Sequence, residues 1–331
     1  MFGEEAGLGP RRENRAMTAA AIAGWGTAIP DHIRTNADLE ERVDTSDEWI
    51  RERTGIRERR VAAPSETTAS LAMHAGASAI KDAGITPDDI DLLIVATATP
   101  DQPLPAVAAF VQDGLGLRCG AFDLGAACAG FVYSLVMGSS LVATGGARHV
   151  LIVGSETLTR IVDPMDRSTV ILFGDGAGAA VLSASDDNQL GLVSFDLGCD
   201  GSAAPLLEIP AGERWLSMRG SEVFRRAVRA VNESATAALA KGGLTADDIA
   251  LFVPHQANRR IIDAAGRHLG IPPERTMVNI ERYGNTSAAS IPIALAEAAD
   301  EGRLRDGDLV LLSGFGAGMT WASAVVRWGK P

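Results

Sequence analysis

Three apolar runs of strand length, Leu92 to Ala96, Val150 to Gly154 and Leu309 to Leu312, alternate along the chain with alanine-rich stretches of helical pattern, Thr68 to Ala83, Gly130 to Ala143 and Ser290 to Ala299. A run without polar alternation suits a strand covered on both faces, as when helices pack above and below a largely parallel sheet. Thr86, followed by Pro87 and the pair Asp88-Asp89, marks a turn or helix start between one helix and the next strand. The alternation predicts an α/β protein built of helix, sheet and helix layers.

The pattern also repeats. Ile85 to Val95 matches Leu244 to Val253, 159 positions further on, and Cys128 to Gly154 has its counterpart in Ser287 to Gly314, displaced by 159 at its start and 160 at its end. A third similarity links Gly174 to Ala180 with Gly314 to Thr320, each leading into an apolar strand, Ala179 to Leu182 and Ala322 to Val326. Three matches in one order predict an internal duplication. Two such halves, 18–190 and 191–331, would stack as five layers, αβαβα, sharing a central pair of helices. Two independent Rossmann domains are disfavoured, because Gly174-x-Gly176-x-Gly178 lacks the dinucleotide spacing and precedes a strand instead of opening a helix.

Composition narrows the class. With 331 residues, 46% of them hydrophobic, and 36 glycines, the chain can bury one large core or two similar halves. Its three cysteines, Cys119, Cys128 and Cys199, form no C-x-x-C pair, and their odd number argues against a disulfide framework, so a reducing cytoplasm is expected. The polar opening, residues 1–17, reads as a disordered extension, or as the product of a start codon set upstream of Met17; a cleaved export signal is the remaining alternative. No apolar run approaches the ~20 residues that span a bilayer. The formal charge of −12 disfavours nucleic acid as a partner. Local basic groups oppose that sign: Arg225, Arg226 and Arg229 in the helical stretch Val223 to Leu239, and Arg259-Arg260 shortly after His255. They are a solvated face or a landing point for an acidic partner.

The chemistry centres on Cys128, placed where the run Ala121 to Gly125 gives way to the helical stretch Ala129 to Thr144. Unpaired amides at a helix start favour a thiolate and can donate to an oxyanion formed by its attack. His255, in Val253-Pro254-His255-Gln256-Ala257-Asn258, and Asn285, in Gly284-Asn285-Thr286-Ser287, complete a trio suited to acyl transfer. Taken alone, Asn285 after Gly284 reads equally as a turn residue, and a lone cysteine as a small buried hydrophobe, the reading kept for Cys119 and Cys199.

These blocks, with Asp123 to Phe131, Gly284 to Pro292, Gly314-Phe315-Gly316-Ala317-Gly318, and Asp44 to Ile50 followed by Arg53 to Arg57, resemble β-ketoacyl-acyl carrier protein synthase III of the thiolase superfamily, from about Ala21 to the C-terminus. The resemblance implies the duplicated five-layered thiolase fold, a homodimer, and condensation of a short acyl-CoA with malonyl-acyl carrier protein, with no cofactor or metal. It implies that Cys128 is acylated, that the N–H of Cys128 and one from Gly316 or Ala317 hold the first oxyanion, and that His255 and Asn285 stabilise an enolate. It further places Trp49, Arg53 and Arg167 at the CoA adenine and Asn258 at the pantetheine arm. Leu172 and Phe173 would line the acyl tunnel, closed by Leu104 of a partner subunit, and Arg260 and Arg225 would face the carrier protein. Ala317 replaces a common glycine of the family, and the stretch from Gly201 to Met218 is short for it. Relatives that prime secondary metabolites or transfer acyl groups without condensation remain the alternative. A papain-like Cys-His-Asn hydrolase lacks its usual context here, and a non-catalytic partner subunit would have lost the cysteine.

Overall fold

The computed structural model describes residues 18–331, so the expectations for residues 1–17 lie outside the described residues. Nine strands form the two main sheets: β1 Ala19–Ala28, β2 Leu92–Ala96, β3 Gly120–Leu124, β4 His149–Thr157, β5 Asp175–Ser185, β6 Gly191–Cys199, β7 Ile249–Pro254, β8 Leu309–Gly316 and β9 Thr320–Arg327. Seven helices matter to the site: α1 Asp47–Thr54, α2 Thr68–Asp82, α3 Val107–Gly114, α4 Gly130–Ala143, α5 Gly220–Lys241, α6 Arg259–Leu269 and α7 Ser290–Asp300. The first sheet has the order β1-β5-β4-β2-β3 and the second β6-β9-β8-β7. Within the first, β4, β2 and β3 run parallel, while β5 is antiparallel to both β4 and β1. The second repeats this with β7 parallel to β8 and β9 antiparallel to β8 and β6. Where a fifth strand would pair with β7, the described residues offer a single parallel bridge from Phe252 to Thr276.

Side-chain alternation along the apolar strands sorts the layers. Leu93, Val95, Leu151 and Val153 point to an outer core with α2 and α3, whereas Ile94, Val150 and Ile152 point inward. On the second sheet Leu309 and Leu311 meet α5 and α6 outside, while Val310 and Leu312 join the inner core. Phe131, Leu135, Ile291 and Leu295 of α4 and α7 fill that inner core between the sheets, which makes five layers. Burying one such aliphatic side chain is worth roughly 1.5–3 kcal/mol. A fourth cluster, with Leu39, Ile50, Phe173, Ile262 and Ile280, caps the end of the sheets where the site lies.

The repeat is more regular than the sequence comparison suggested. Short 3-10 turns at Ala127–Ala129 and Ser287–Ala289 lead into α4 and α7, so the helix match is displaced by 160 from its start: Ala127 corresponds to Ser287 and Cys128 to Ala288. The third match is corrected. Gly176 and Gly178 lie inside β5, whereas Gly314 and Gly316 close β8, whose positional counterparts at the end of β4 are Gly154 and Glu156. The glycine spacing was a coincidence, although the strands it leads into, β5 and β9, do occupy matching places in their sheets.

Candidate active site

The position of Cys128 begins with a strained turn. After β3 the chain passes through Ala126 to Ala127, whose φ of +45° is unusual for a residue with a β-carbon, and then into the 3-10 turn that carries Cys128 to the start of α4. Across from it, a β-carbon on Gly316 would stand 2.5 Å from the Cys128 amide nitrogen, and one on Gly314 would stand 3.1 Å from the Cys128 carbonyl oxygen. Only glycine lets β8 come this close. Thr320 Oγ1, donating to Ala126 O at 3.0 Å and Ala317 O at 3.1 Å, ties the glycine loop to the turn.

Cys128 is buried, and burial pushes its thiol up to about 12; the Ser287 hydroxyl works against that shift, and the charge of Glu156 adds to it. The helix-end field expected to favour thiolate is therefore outweighed by loss of solvent. Glu156, wholly buried at the end of β4, is likewise raised by burial, partly offset by hydrogen bonds from Thr99, Ala98, Ser287 and Ala288.

His255 follows β7, and its main-chain N–H donates to Ser313 O at 2.8 Å. Its Nδ1 lies 2.6 Å from Ser290 Oγ, which also accepts from the Gln256 amide at 3.1 Å. With the Ser290 hydroxyl hydrogen assigned to Nδ1, the ring proton sits on Nε2. Nε2 is buried with no protein partner among the described residues, and the Phe315 ring packs edge-on at 5.5 Å. Burial alone pulls this imidazole down to about 3, so it is a neutral donor at ordinary pH.

Asn285 is fixed from both sides. Its N–H donates to Leu172 O at 2.8 Å, its carbonyl accepts from Gly174 N at 3.0 Å, and its side-chain Oδ1 accepts from Ser287 N at 2.8 Å. The preceding Gly284 has φ +65°, and a β-carbon there would meet Leu172 O at 2.8 Å. With Oδ1 engaged in the turn, the Nδ2 hydrogens are left for the cavity.

One cavity of about 500 Å³ gathers Cys128, His255, Asn285, Gly316, Leu172 and Phe173 at its depth, with Trp49, Arg53, Asn258, Arg225 and Arg260 nearer its mouth. Asn258 caps α6, accepting from Arg260 N at 2.9 Å and donating to Arg53 O at 3.0 Å, which leaves one Nδ2 hydrogen for a ligand. Arg53 and Arg167 lie over the Trp49 ring, their guanidinium carbons 5.2 and 5.1 Å from its centroid. Arg167 itself is outside the cavity wall, held by Asp44 O at 2.6 Å. Ala317 also lies outside it, its carbonyl turned to Thr320, and Leu104 is 83% exposed, away from the cavity of its own chain. Sequence reasoning missed Ser287, Glu156 and Ser290. Only the position of Glu156, a carboxyl two residues past the apolar run Val150 to Gly154, carried a signal.

A cysteine at a strained turn, main-chain N–H groups beside it and two neutral donors facing it, all at the junction of two duplicated αβα halves, define an acyl-transferring enzyme of the thiolase superfamily. The sequence matches the family models for 3-oxoacyl-[acyl-carrier-protein (ACP)] synthase III over residues 122–201 and for its C-terminal part over residues 239–328. It is 51% identical to the β-ketoacyl-[acyl-carrier-protein] synthase III of Roseiflexus sp. (strain RS-1), over 93% of this chain and 98% of that one. The structure superposes with a TM-score of 0.90 on the synthase III of Thermus thermophilus, 50% identical over 94% of this chain and 100% of the other. It superposes with a TM-score of 0.91 on the priming β-ketosynthase of the R1128 polyketide pathway, 38% identical over 97% of this chain and all of that one. The chain belongs to the β-ketoacyl-[acyl-carrier-protein] synthase III family.

Proposed function

We propose that the chain condenses a short acyl-CoA with malonyl-acyl carrier protein, releasing CoA and CO2, and so starts fatty acid synthesis. The observation that carries this reading is the joint placement of Cys128, His255 and Asn285 in one cavity with two arginines at Trp49 on its rim. Cys128 attacks the thioester carbonyl and CoA leaves, which divides the reaction into acylation and condensation. The Cys128 N–H and the adjoining Gly316 main chain hold the first oxyanion, where small residues admit the substrate closely. Loss of CO2 from the malonyl thioester then leaves an enolate whose oxygen accepts from His255 Nε2 and Asn285 Nδ2. Its carbon attacks the Cys128 thioester and frees the sulfur. Neither donor needs to titrate, which suits an imidazole held neutral. Loss of CO2 drives the carbon–carbon bond, so the reading calls for no cofactor or metal.

The rim carries the partner reading. Arg226, Arg229 and Arg259 pair with Asp200, Glu233 and Asp263, whereas Arg225 and Arg260 are exposed and join no ion pair among the described residues. They are the groups offered to an acidic carrier protein, and the exposed Leu104 is the apolar group offered to a second subunit's cavity in a homodimer. Among the described residues no helix is long and apolar enough to cross a membrane. A polyketide-priming role is the second reading, supported by the 38% identical relative. A panel of acyl-CoA primers, assayed with malonyl-acyl carrier protein and separately with malonyl-CoA, tests the proposal. Turnover of short primers with the carrier substrate supports it, and turnover only with malonyl-CoA counts against it. Arg260→Glu should weaken use of the carrier substrate while leaving acylation of Cys128 nearly intact, and added salt should mimic part of that loss. Equal losses with both malonyl substrates would assign Arg260 to folding or CoA binding.

A further inference from the structure

A second cavity, of about 300 Å³, adjoins the one that holds Cys128, and Phe173 is the one residue common to both linings. Four arginines line it, Arg34, Arg42, Arg160 and Arg214, and no carboxylate does. Among the described residues none of the four joins an ion pair. In a chain of formal charge −12 such a cluster runs against the overall sign. Arg160 is anchored through Nη2, which donates to Ala63 O at 3.1 Å and to Glu66 O, and its Nε and Nη1 have no protein acceptor among the described residues. The Arg214 guanidinium lies over the Trp215 ring, 4.3 Å from its centroid, and the next residue, Leu216, ties this wall down by donating its N–H to Ile161 O at 2.8 Å.

We propose that this cavity is a binding site for a small organic phosphate, its dianionic group held by the four guanidinium groups and its apolar body laid on Leu39, Val162, Val170 and Phe173. Like charges gathered in a half-enclosed space repel one another unless a negative group sits among them. Arg34, half-buried, feels this directly: burial, and then the charge of Arg42, lower it from the ordinary arginine value, and Asp175 and Asp38 offset only part of that. Both of those carboxylates are committed to main-chain N–H groups, Asp175 to Ala62 at 2.8 Å and Thr159 at 2.9 Å, Asp38 to Thr35 at 2.7 Å. A guanidinium presents a rigid fork of donors that matches two oxygens of a phosphate or carboxylate. Four forks exceed what one carboxylate can occupy with two oxygens and a single charge, whereas a phosphate monoester brings three oxygens and nearly two charges at neutral pH. The four apolar residues are buried and would gain nothing from the hydrated inorganic ion, which selects an ester. The volume is at the lower end for small-molecule sites and suits a chain of a few carbons. Trp49, Arg53 and Asn258 line only the other cavity, so this site is separate from the one proposed for CoA. It borders that site through Phe173, whose neighbour Gly174 donates to Asn285 O at 3.0 Å.

Calorimetric titration of the full chain with hexyl phosphate at about pH 8, where the ester is a dianion, tests the proposal when run with and without saturating CoA. One hexyl phosphate should bind per chain, and CoA should not displace it. Arg42→Gln and Arg214→Gln should each weaken binding about tenfold, the low end for one lost hydrogen bond to a charged group. Arg305→Gln, which makes the same change of net charge ahead of β8, should leave binding as it was. Arg42 and Arg214 are exposed, so both variants should keep the melting temperature of the unmutated protein, which separates lost binding from lost folding. Arg214→Lys, with the charge but not the fork, should recover only part of the affinity. Absence of binding, displacement by CoA, or unchanged affinity in both Arg42→Gln and Arg214→Gln would overturn the site. Hexanoate bound as tightly as hexyl phosphate would overturn the dianion, and inorganic phosphate bound as tightly would overturn the apolar body. A protein that binds hexyl phosphate in this way yet takes no acyl group from acyl-CoA would sink the proposed function and leave this site standing.

Discussion

The two halves carry the same turn and surround it differently. At Ala127 and Ser287 the backbone enters the left-handed region at φ +45° and +48°, a 3-10 turn follows, and a central helix begins three residues on. Each turn lies against the last residues of the other half's strand: a β-carbon on Gly314 would meet Cys128 O at 3.1 Å, and one on Gly154 would meet Ala288 O at 2.2 Å. Two residues further on the halves part. Gly316 leaves room beside the Cys128 amide, whereas Glu156 fills the matching place beside Ala288 and accepts from its N–H. Duplication thus supplied two pockets of N–H groups at two helix starts. On the proposed reading one is the reaction site, and the other is closed by the Glu156 carboxylate.

Cys128→Ala removes the main difference between the turns and should have the largest effect. Acyl-enzyme formation and primer-dependent condensation should fall to background, with slow decarboxylation of the malonyl substrate surviving; condensation retained above background in a product assay would break the comparison. His255→Ala and Asn285→Ala should each leave acylation of Cys128 intact and lower condensation about a hundredfold, near 3 kcal/mol of barrier for one enolate donor. Single-turnover measurements separate the two steps, and normal condensation in either variant would refute the enolate site.

How much of this was legible beforehand follows from range. Helices α2, α4 and α7 and strand β2 were read nearly to the residue, because burial on both faces writes a local, uninterrupted apolar signal. The fold class, Cys128, His255 and Asn285 followed from local blocks that resemble a known family. The equivalence of Ala127 with Ser287 was not legible, since a positive φ at a residue with a β-carbon leaves no mark in composition. Nor was the approach of Glu156 to the Ala288 N–H, which depends on a contact between residues 132 positions apart. The glycine match between Gly174 and Gly314 misled because small residues recur wherever backbones approach, whatever the topology.

The paired glycines sharpen the comparison further. Gly316→Ala and Gly154→Ala each force a β-carbon into backbone and should destabilise by about 1–3 kcal/mol, lowering the melting temperature by a few degrees. Only Gly316→Ala should also cut acylation beyond what its stability loss explains, and equal kinetic damage from both would erase the functional distinction between the turns. The smallest effect is a pH slope. Folded His255 takes a proton only near pH 3 whereas the unfolded chain takes one near 6.5, so its share of stability is fully present above about 6.5 and is lost as pH falls toward 3. His255→Gln should flatten thermal stability against pH in that window by up to roughly 1 kcal/mol per pH unit, and an unchanged slope would contradict a neutral buried imidazole.

The account's central claim is that the N-terminal turn alone carries the acyl group. Peptide mapping by mass spectrometry, after incubation of the unmutated protein with acetyl-CoA, tests it most directly. The predicted result is a single acyl adduct on Cys128 that disappears, with release of CO2, when malonyl-acyl carrier protein is added. An adduct on Cys119, Cys199 or Ser287, or none at all, would contradict it.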